Sequence, residues 1–342
     1  MGCSCWAEFM PLAWIAWSKF ITILNMAIVT LAKNAMATRF EVVLHGEDPV
    51  SLRSAGEEAL AEIERIEACL SLFRPDSEIA HVNSRAALEP VKVTPEVFAL
   101  LQRAQRISLE TAGAFDITIA PLLRCWGFLG GGGSLPQEAA IERAREIVGL
   151  HLVRLDSREF TVRFERSGVM LDLGAIGKGY AIERAAELLR EAGVGSALLH
   201  GGTSTVYGLG CPPGADSWQV AIETETLPAG GQYRGASVAL RDEALSVSAV
   251  WGKFFEWGGE VYGHVLDPGT GRPARECSLA AVVLPMATET DALSTALLTR
   301  GAAVTESIKR ASPGARMFWV SAAPGGLVQA WPGPREWGLS GV

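Results

Sequence analysis

A chain of 342 residues, 49% hydrophobic and 20% charged, has the composition of a folded protein with a sizeable core, not of a disordered or fibrous one. Its 38 acidic against 30 basic residues leave a net charge of −8, and no basic patch marks it as a nucleic-acid binder. An acidic protein that handles a phosphorylated ligand needs local help, from a metal ion or from backbone amides.

The first candidate element, residues 9–32, is apolar apart from Ser18, Lys19, Thr22, Asn25 and Thr30 and is long enough to span a membrane. Lys19 near its middle would cost about 2.5–3.5 kcal/mol on insertion scales. Glu8 spoils a signal-peptide n-region, and no cysteine follows the apolar run as a lipoprotein anchor requires. Two readings stand. Either translation starts at Met26 and 1–25 is dispensable, or 9–32 anchors the chain in the inner membrane. In both, 26–342 is the working domain. The cysteines at 3, 5, 69, 125, 211 and 277 form no C-x-x-C pair, so they read as free thiols and favour the cytoplasm.

Beyond Met26, Ile28–Leu31 opens a strand, and Thr38–Leu44 alternates polar and apolar residues as a second. A helix follows over Pro49–Leu70, with Leu60, Ile63 and Ile66 at helical spacing. Thr94-Pro95-Glu96 starts another, with proline in its first turn, running to Glu110. Gly130–Gly133 make a loop, Pro136–Val148 a helix, and Val153–Leu155 and Phe160–Phe164 two short strands. Val169–Leu173 predicts a strand that enters a glycine-rich turn, then a helix over Tyr180–Ala192 stopped by Gly193. Strands are expected at 196–200, 204–209, 218–223, 236–240, 261–266 and 279–284, and a last helix at Asp291–Thr299 before Gly301. There is no internal repeat and no linker. The mixture lacks regular βαβ alternation, which predicts an α+β fold: one composite domain of mixed or antiparallel sheets with flanking helices.

Four stretches carry chemistry. Asp172-Leu173-Gly174-Ala175-Ile176-Gly177-Lys178-Gly179-Tyr180 lets a ligand approach the backbone, and the following helix offers unpaired N–H groups to an anion beside Lys178. It matches neither a P-loop nor the G-x-G-x-x-G of dinucleotide folds, and a plain tight turn remains open. In Thr288-Glu289-Thr290-Asp291-Ala292-Leu293-Ser294-Thr295, Asp291 and Thr295 share one face of the expected first helical turn. Their oxygens are the hard ligands magnesium takes; an N-cap aspartate is the alternative. His264, of the histidines at 45, 81, 151, 200 and 264, precedes a Pro/Gly turn where a side chain can face a pocket, or it is a packed strand residue. No histidine pair has zinc-ligand spacing. Thr111–Thr118 can present amides and Asp116 to a ring edge, or cap a helix.

These pieces come in a recognisable order: Met36-Ala37-Thr38, Ser71-Leu72-Phe73-Arg74-Pro75-Asp76-Ser77-Glu78, Gly113-Ala114-Phe115-Asp116, Asp172 to Tyr180, His200-Gly201-Gly202, Ser246-Val247-Ser248, His264-Val265-Leu266-Asp267-Pro268-Gly269-Thr270-Gly271, and Asp291 to Thr295. In that order they resemble the FAD:protein FMN transferase family, the ApbE proteins once described as thiamine-biosynthesis lipoproteins. The resemblance covers 26–305. It implies flavin contacts from Met36, Phe73, Ala114, Phe115, Asp116, Asp172, Lys178 and the segment around Leu266. It implies magnesium held by the Ala175 carbonyl, Asp291 and Thr295, with His264 as base. The implied substrate is FAD, and the implied partner is a flavoprotein whose threonine accepts FMN. Two places depart from the family: Val247-Ser248-Ala249 replaces Thr-Ser-Gly, and Thr203 follows Gly-Gly where an acidic residue or Asn is frequent. Both bear on the acceptor side. With water as nucleophile the same site would be an FAD pyrophosphatase; without phosphoryl chemistry it would be a flavin-binding protein, for which the Asp291/Thr295 pair has no use.

Overall fold

The computed structural model describes residues 26–222, 236–322 and 327–338. Residues 1–25 lie outside the described ones, as does the end of the strand expected at 218–223; of the stretch 9–32 that could span a membrane, residues 27–32 instead lie in the first strand of the main sheet, paired with the second. Among the described residues no helix is long and apolar enough to cross a membrane.

Eight strands form one antiparallel sheet whose spatial order is the chain order: β1 (Ala27–Ala35), β2 (Thr38–Gly46), β3 (Ser196–Gly201), β4 (Thr205–Gly210), β5 (Glu243–Ala249), β6 (Cys277–Leu284), β7 (Arg316–Ser321) and β8 (Val328–Trp331). The helices and the smaller hairpins are insertions into this meander. Four helices matter for the site: α1 (Pro49–Leu70), α2 (Pro95–Glu110), α3 (Gly177–Glu191) and α4 (Ala287–Arg300). Asp48 caps α1 by accepting the Val50 N–H, and Thr94 caps α2 by accepting that of Val97.

Side-chain alternation divides the core. In β6, Ala280, Val282 and Leu284 face the helices, while Leu279, Ala281 and Val283 face a second cluster closed by Trp218, Val238, Leu240 and Trp337. β6 is therefore buried along its whole length. A satellite cluster gathers Trp126, Phe128, Ile141 and Leu266, with Phe255 and Tyr262 against it.

The α+β expectation holds, and α1 and α2 have the expected bounds. Several elements differ. Val169–Leu173 joins no sheet: Asn83 brackets Leu171 by donating to its carbonyl (2.9 Å) and accepting its N–H (2.7 Å), and Asp172 donates to the Ile117 carbonyl (2.7 Å). Its backbone is satisfied without a neighbouring strand. α3 starts at Gly177, not Tyr180. α4 starts at Ala287 with Met286 at the cap position, so Asp291 is neither an N-cap nor in the first turn. The helix expected at 136–148 is shorter, Glu138–Arg145. The strand expected at 261–266 breaks at His264: Glu260–Gly263 pairs with Phe254–Trp257, and Leu266–Asp267 with Arg272–Pro273. A further helix, Thr305–Ala311, follows α4, and β5, β7 and β8 were not expected.

Candidate functional site

At the start of α3, the first backbone N–H groups have no intrahelical acceptor. One of them, from Gly179, donates to Asp291 Oδ2 at 3.0 Å. This contact needs glycine: a Cβ at 179 would lie 2.2 Å from the Ala287 carbonyl oxygen and 2.7 Å from Asp291 Cβ. The glycine turn thus sets α3 and α4 at close approach. Asp291 is 4% exposed, and among the described residues it has no cationic partner. Thr295, one turn on, donates to the Asp291 carbonyl at 3.3 Å and lies 3.3 Å from Ser248 Oγ, which is 2.8 Å from Ser294 Oγ. Ala175 stands in the same turn, four residues before Gly179. Further back, Arg103 bridges Glu183 of α3 and Glu289 of α4, and Glu183 also accepts the Thr288 N–H, bracing the two helices.

The second group surrounds Lys178. Its ammonium donates to the Gly174 carbonyl at 3.0 Å, and Asp172 Oδ1 accepts the Gly174 N–H at 2.7 Å. Burial pushes the Asp172 carboxyl above its usual range, against that hydrogen bond and the charges of Lys178 and Lys253. His264 faces the same two lysines. Burial lowers its imidazole below the ordinary 6.5, against the hydrogen bond to the Lys253 backbone and in the same sense as the lysine charges. Nδ1 lies 3.1 Å from the Lys253 carbonyl and 3.3 Å from the Lys253 N–H; the tautomer that donates Nδ1–H to the carbonyl leaves Nε2 with its lone pair free, and the one that accepts from the N–H places the proton on Nε2.

The other residues expected to contact flavin lie in four places. Met36 and Ala37 join β1 to β2 at φ of 49° and 57°, a turn type that usually calls on Asn-Gly. Glu67 near the end of α1 accepts the Met36 N–H at 2.6 Å. Phe73, just beyond α1, is 75% exposed. Gly177 lies beside Leu70, so the end of α1 adjoins the glycine turn. Ala114 and Phe115 are buried in the main core, and their N–H groups donate to the Thr111 carbonyl (3.1 Å) and hydroxyl (3.3 Å), so these two amides are not presented to a ligand as expected. Asp116 has its carboxylate engaged: Oδ1 accepts from the Thr118 N–H and hydroxyl, and Oδ2 from the Leu150 N–H. Burial raises this carboxyl and those bonds oppose the rise. It braces its own loop. Leu266 is buried at the edge of the satellite cluster.

Lys253 and Arg300 join these groups without having been singled out, while Ser248 and Ser294, named only as members of longer motifs, stand beside Thr295. Ser294 sits three residues after Asp291, a helical spacing that could have flagged it. Lys253 has no local signal; it is near His264 only because the Phe254–Gly263 hairpin closes between them.

Comparison with known proteins shows what the chain resembles. The sequence pattern of the ApbE family matches residues 36–319. An FAD:protein FMN transferase of Treponema pallidum is 28% identical over 305 residues, covering 84% of this chain and 83% of the relative. One from Klebsiella pneumoniae is 30% identical over 239 residues, 68% of this chain and 73% of the relative. Among solved structures, the ApbE protein of Thermotoga maritima superposes with a TM-score of 0.79 at 28% identity, covering 89% of this chain and 97% of that one. The apo flavinyl transferase ApbE of Pseudomonas stutzeri gives 0.78 at 25% identity, over 89% and 95%. With a family pattern spanning most of the chain and relatives covered over most of their length, the chain belongs to the ApbE family.

Proposed function

We infer that this protein is an FAD:protein FMN transferase, which moves the FMN half of FAD onto an acceptor flavoprotein and releases AMP. The names of its relatives support the activity. The observation that carries the chemistry is the corner where α3 meets α4: a buried carboxylate, Asp291, with no cationic partner among the described residues, accepts the Gly179 amide of a glycine turn whose Lys178 donates to the Gly174 carbonyl. A buried anion calls for a compensating positive charge, and the carboxylate, the Thr295 hydroxyl and the Ala175 carbonyl are hard oxygen donors that fit magnesium. Those three would hold the ion, which when bound supplies charge neutralisation at the pyrophosphate.

The remaining roles fall to the chain's own groups. Lys178, in the first turn of α3, holds the phosphates; the N–H groups of Gly174, Ile176, Gly177 and Gly179 are already bonded to Asp172, Leu173 and Asp291. The Met36 turn, Phe73, the Ala114–Asp116 loop, Asp172 and the Leu266 segment take the FMN half. His264 Nε2 removes the proton from an acceptor threonine as its oxygen attacks the FMN phosphorus. The bond from that phosphorus to the bridging oxygen breaks, and AMP leaves with the electron pair. The product is a threonyl phosphoester of FMN.

The test is incubation with FAD, magnesium and a flavoprotein subunit bearing an exposed threonine in a loop. AMP should appear in step with an acceptor mass gain of one FMN phosphoryl group, and chelation should stop both. AMP and free FMN with the acceptor unmodified, across several threonine-bearing candidates, would make it a pyrophosphatase; neither product would make it a binder.

A further inference from the structure

Between the two loops assigned to the FMN half lies a cavity of about 380 Å³, bordered by Ala112, Gly113, Asp116, Pro268, Gly269 and Arg300. Arg300 is the last residue of α4, the helix that carries Asp291 and Thr295. Its guanidinium reaches both loops: one nitrogen donates to the Ala112 carbonyl at 2.8 Å and another to Asp267 Oδ1 at 3.2 Å. Each acceptor sits at a demanding point of backbone. Ala112 is a non-glycine residue at φ 51°, followed by Gly113 at 74°, immediately before Ala114. Such a conformation persists only where the surroundings hold it. Asp267 follows Leu266, and its Oδ1 also accepts the Gly269 N–H at 2.9 Å while its carbonyl accepts that of Gly271 at 2.7 Å. Arg300 and Asp267 are both largely shielded, with side chains 27% and 17% exposed, where charge-assisted bonds are at their stronger end.

We propose that Arg300 is a positioning residue for the FMN half of FAD: it ties the Ala112–Asp116 and Leu266–Gly271 loops to each other and to α4. The placing of the two loops relative to α4 then depends on this side chain as well as on the other bonds each loop makes. A lysine could make either bond but not span both as a planar fork does. The role rests on the FMN-transferase reading for what the loops hold.

The experiment uses the full chain and its R300L and R300K variants. FAD affinity is read by flavin fluorescence under chelation, so that no turnover intervenes, and KM and kcat are read from AMP release with magnesium. R300L should bind FAD about tenfold more weakly, the scale of one lost hydrogen bond to a charged group. KM should rise in parallel, kcat should hold within about threefold of the parent, and R300K should fall between. Unchanged FAD affinity in folded R300L would overturn the proposal, as would a lower melting temperature and kcat at parental affinity, which is what a purely structural arginine gives. If R300L does not fold, R300K with parental FAD affinity overturns it. A parent that binds FAD but releases no AMP would defeat the transferase reading while leaving the affinity comparison intact.

Discussion

Burial, with the Lys253 and Lys178 charges beside it, keeps the His264 imidazole neutral to a pH below 6.5. Activity should therefore fall on the acid side with a midpoint below 6.5, the side on which a base is lost to protonation. The same shift has a sign for stability. The unfolded histidine takes up its proton first, so its contribution weakens as pH falls from 6.5 toward the folded value. His264→Ala should lower kcat by about a hundredfold or more, as loss of a general base does, and leave FAD affinity within a few fold; loss of FAD binding instead would make His264 a ligand contact. Asp291 has two separable roles. Asp291→Asn keeps an acceptor for the Gly179 N–H and removes the charge, so it should melt near the parent yet lose magnesium-dependent turnover. Asp291→Ala also leaves a buried N–H unsatisfied, at a cost of about 1–3 kcal/mol. Full turnover by either variant at limiting magnesium would remove Asp291 from the metal site.

At the level of elements, the close approach of α3 to α4 depends on the absence of a side chain at Gly179. Gly179→Ala forces a Cβ against the backbone of α4, 2.2 Å from the Ala287 oxygen. Because backbone yields poorly, the cost should reach about 1–3 kcal/mol or more, seen as a lower denaturant midpoint together with weakened magnesium dependence. A variant as stable and active as the parent would show that the helices can separate without loss. α1 and α2 were legible because they are half-buried, carry their caps in sequence and keep one apolar face. β5 was not. Its sequence, EALSVSA, turns Leu245 and Val247 toward the second core and leaves Ala244 with two serines at the alternating positions, too few and too small apolar side chains to mark a strand by themselves. Val169–Leu173 misled for the opposite reason: strand-like composition, but an asparagine side chain and a loop carbonyl where a neighbouring strand would be.

For the molecule as a whole, β1 opens at Ala27 and pairs with β2 over its full length. A chain begun at Met26 therefore holds every described element. It should be soluble and as active as the full chain in AMP release; an insoluble short form beside a membrane-bound, active long form would favour the anchor reading. The meander explains how one domain can carry so much inserted structure. Each insertion leaves and returns between adjacent antiparallel strands, so the sheet stays in register whatever is added between them.

Residue order alone was enough to identify the family and the long amphipathic helices, because motifs, caps and periodicity are local. It could not assign work to each carboxylate. Asp116 and Asp291 look alike as acidic residues beside helix ends, but the first is spent on Thr118 and Leu150, while the second accepts an amide from a helix 112 residues away. Nor could it show that Arg300 reaches a carbonyl 188 residues back. Those contacts exist only once packing has brought α3, α4 and the two loops together, since it is burial that decides which polar groups must find a partner and which partners are within reach.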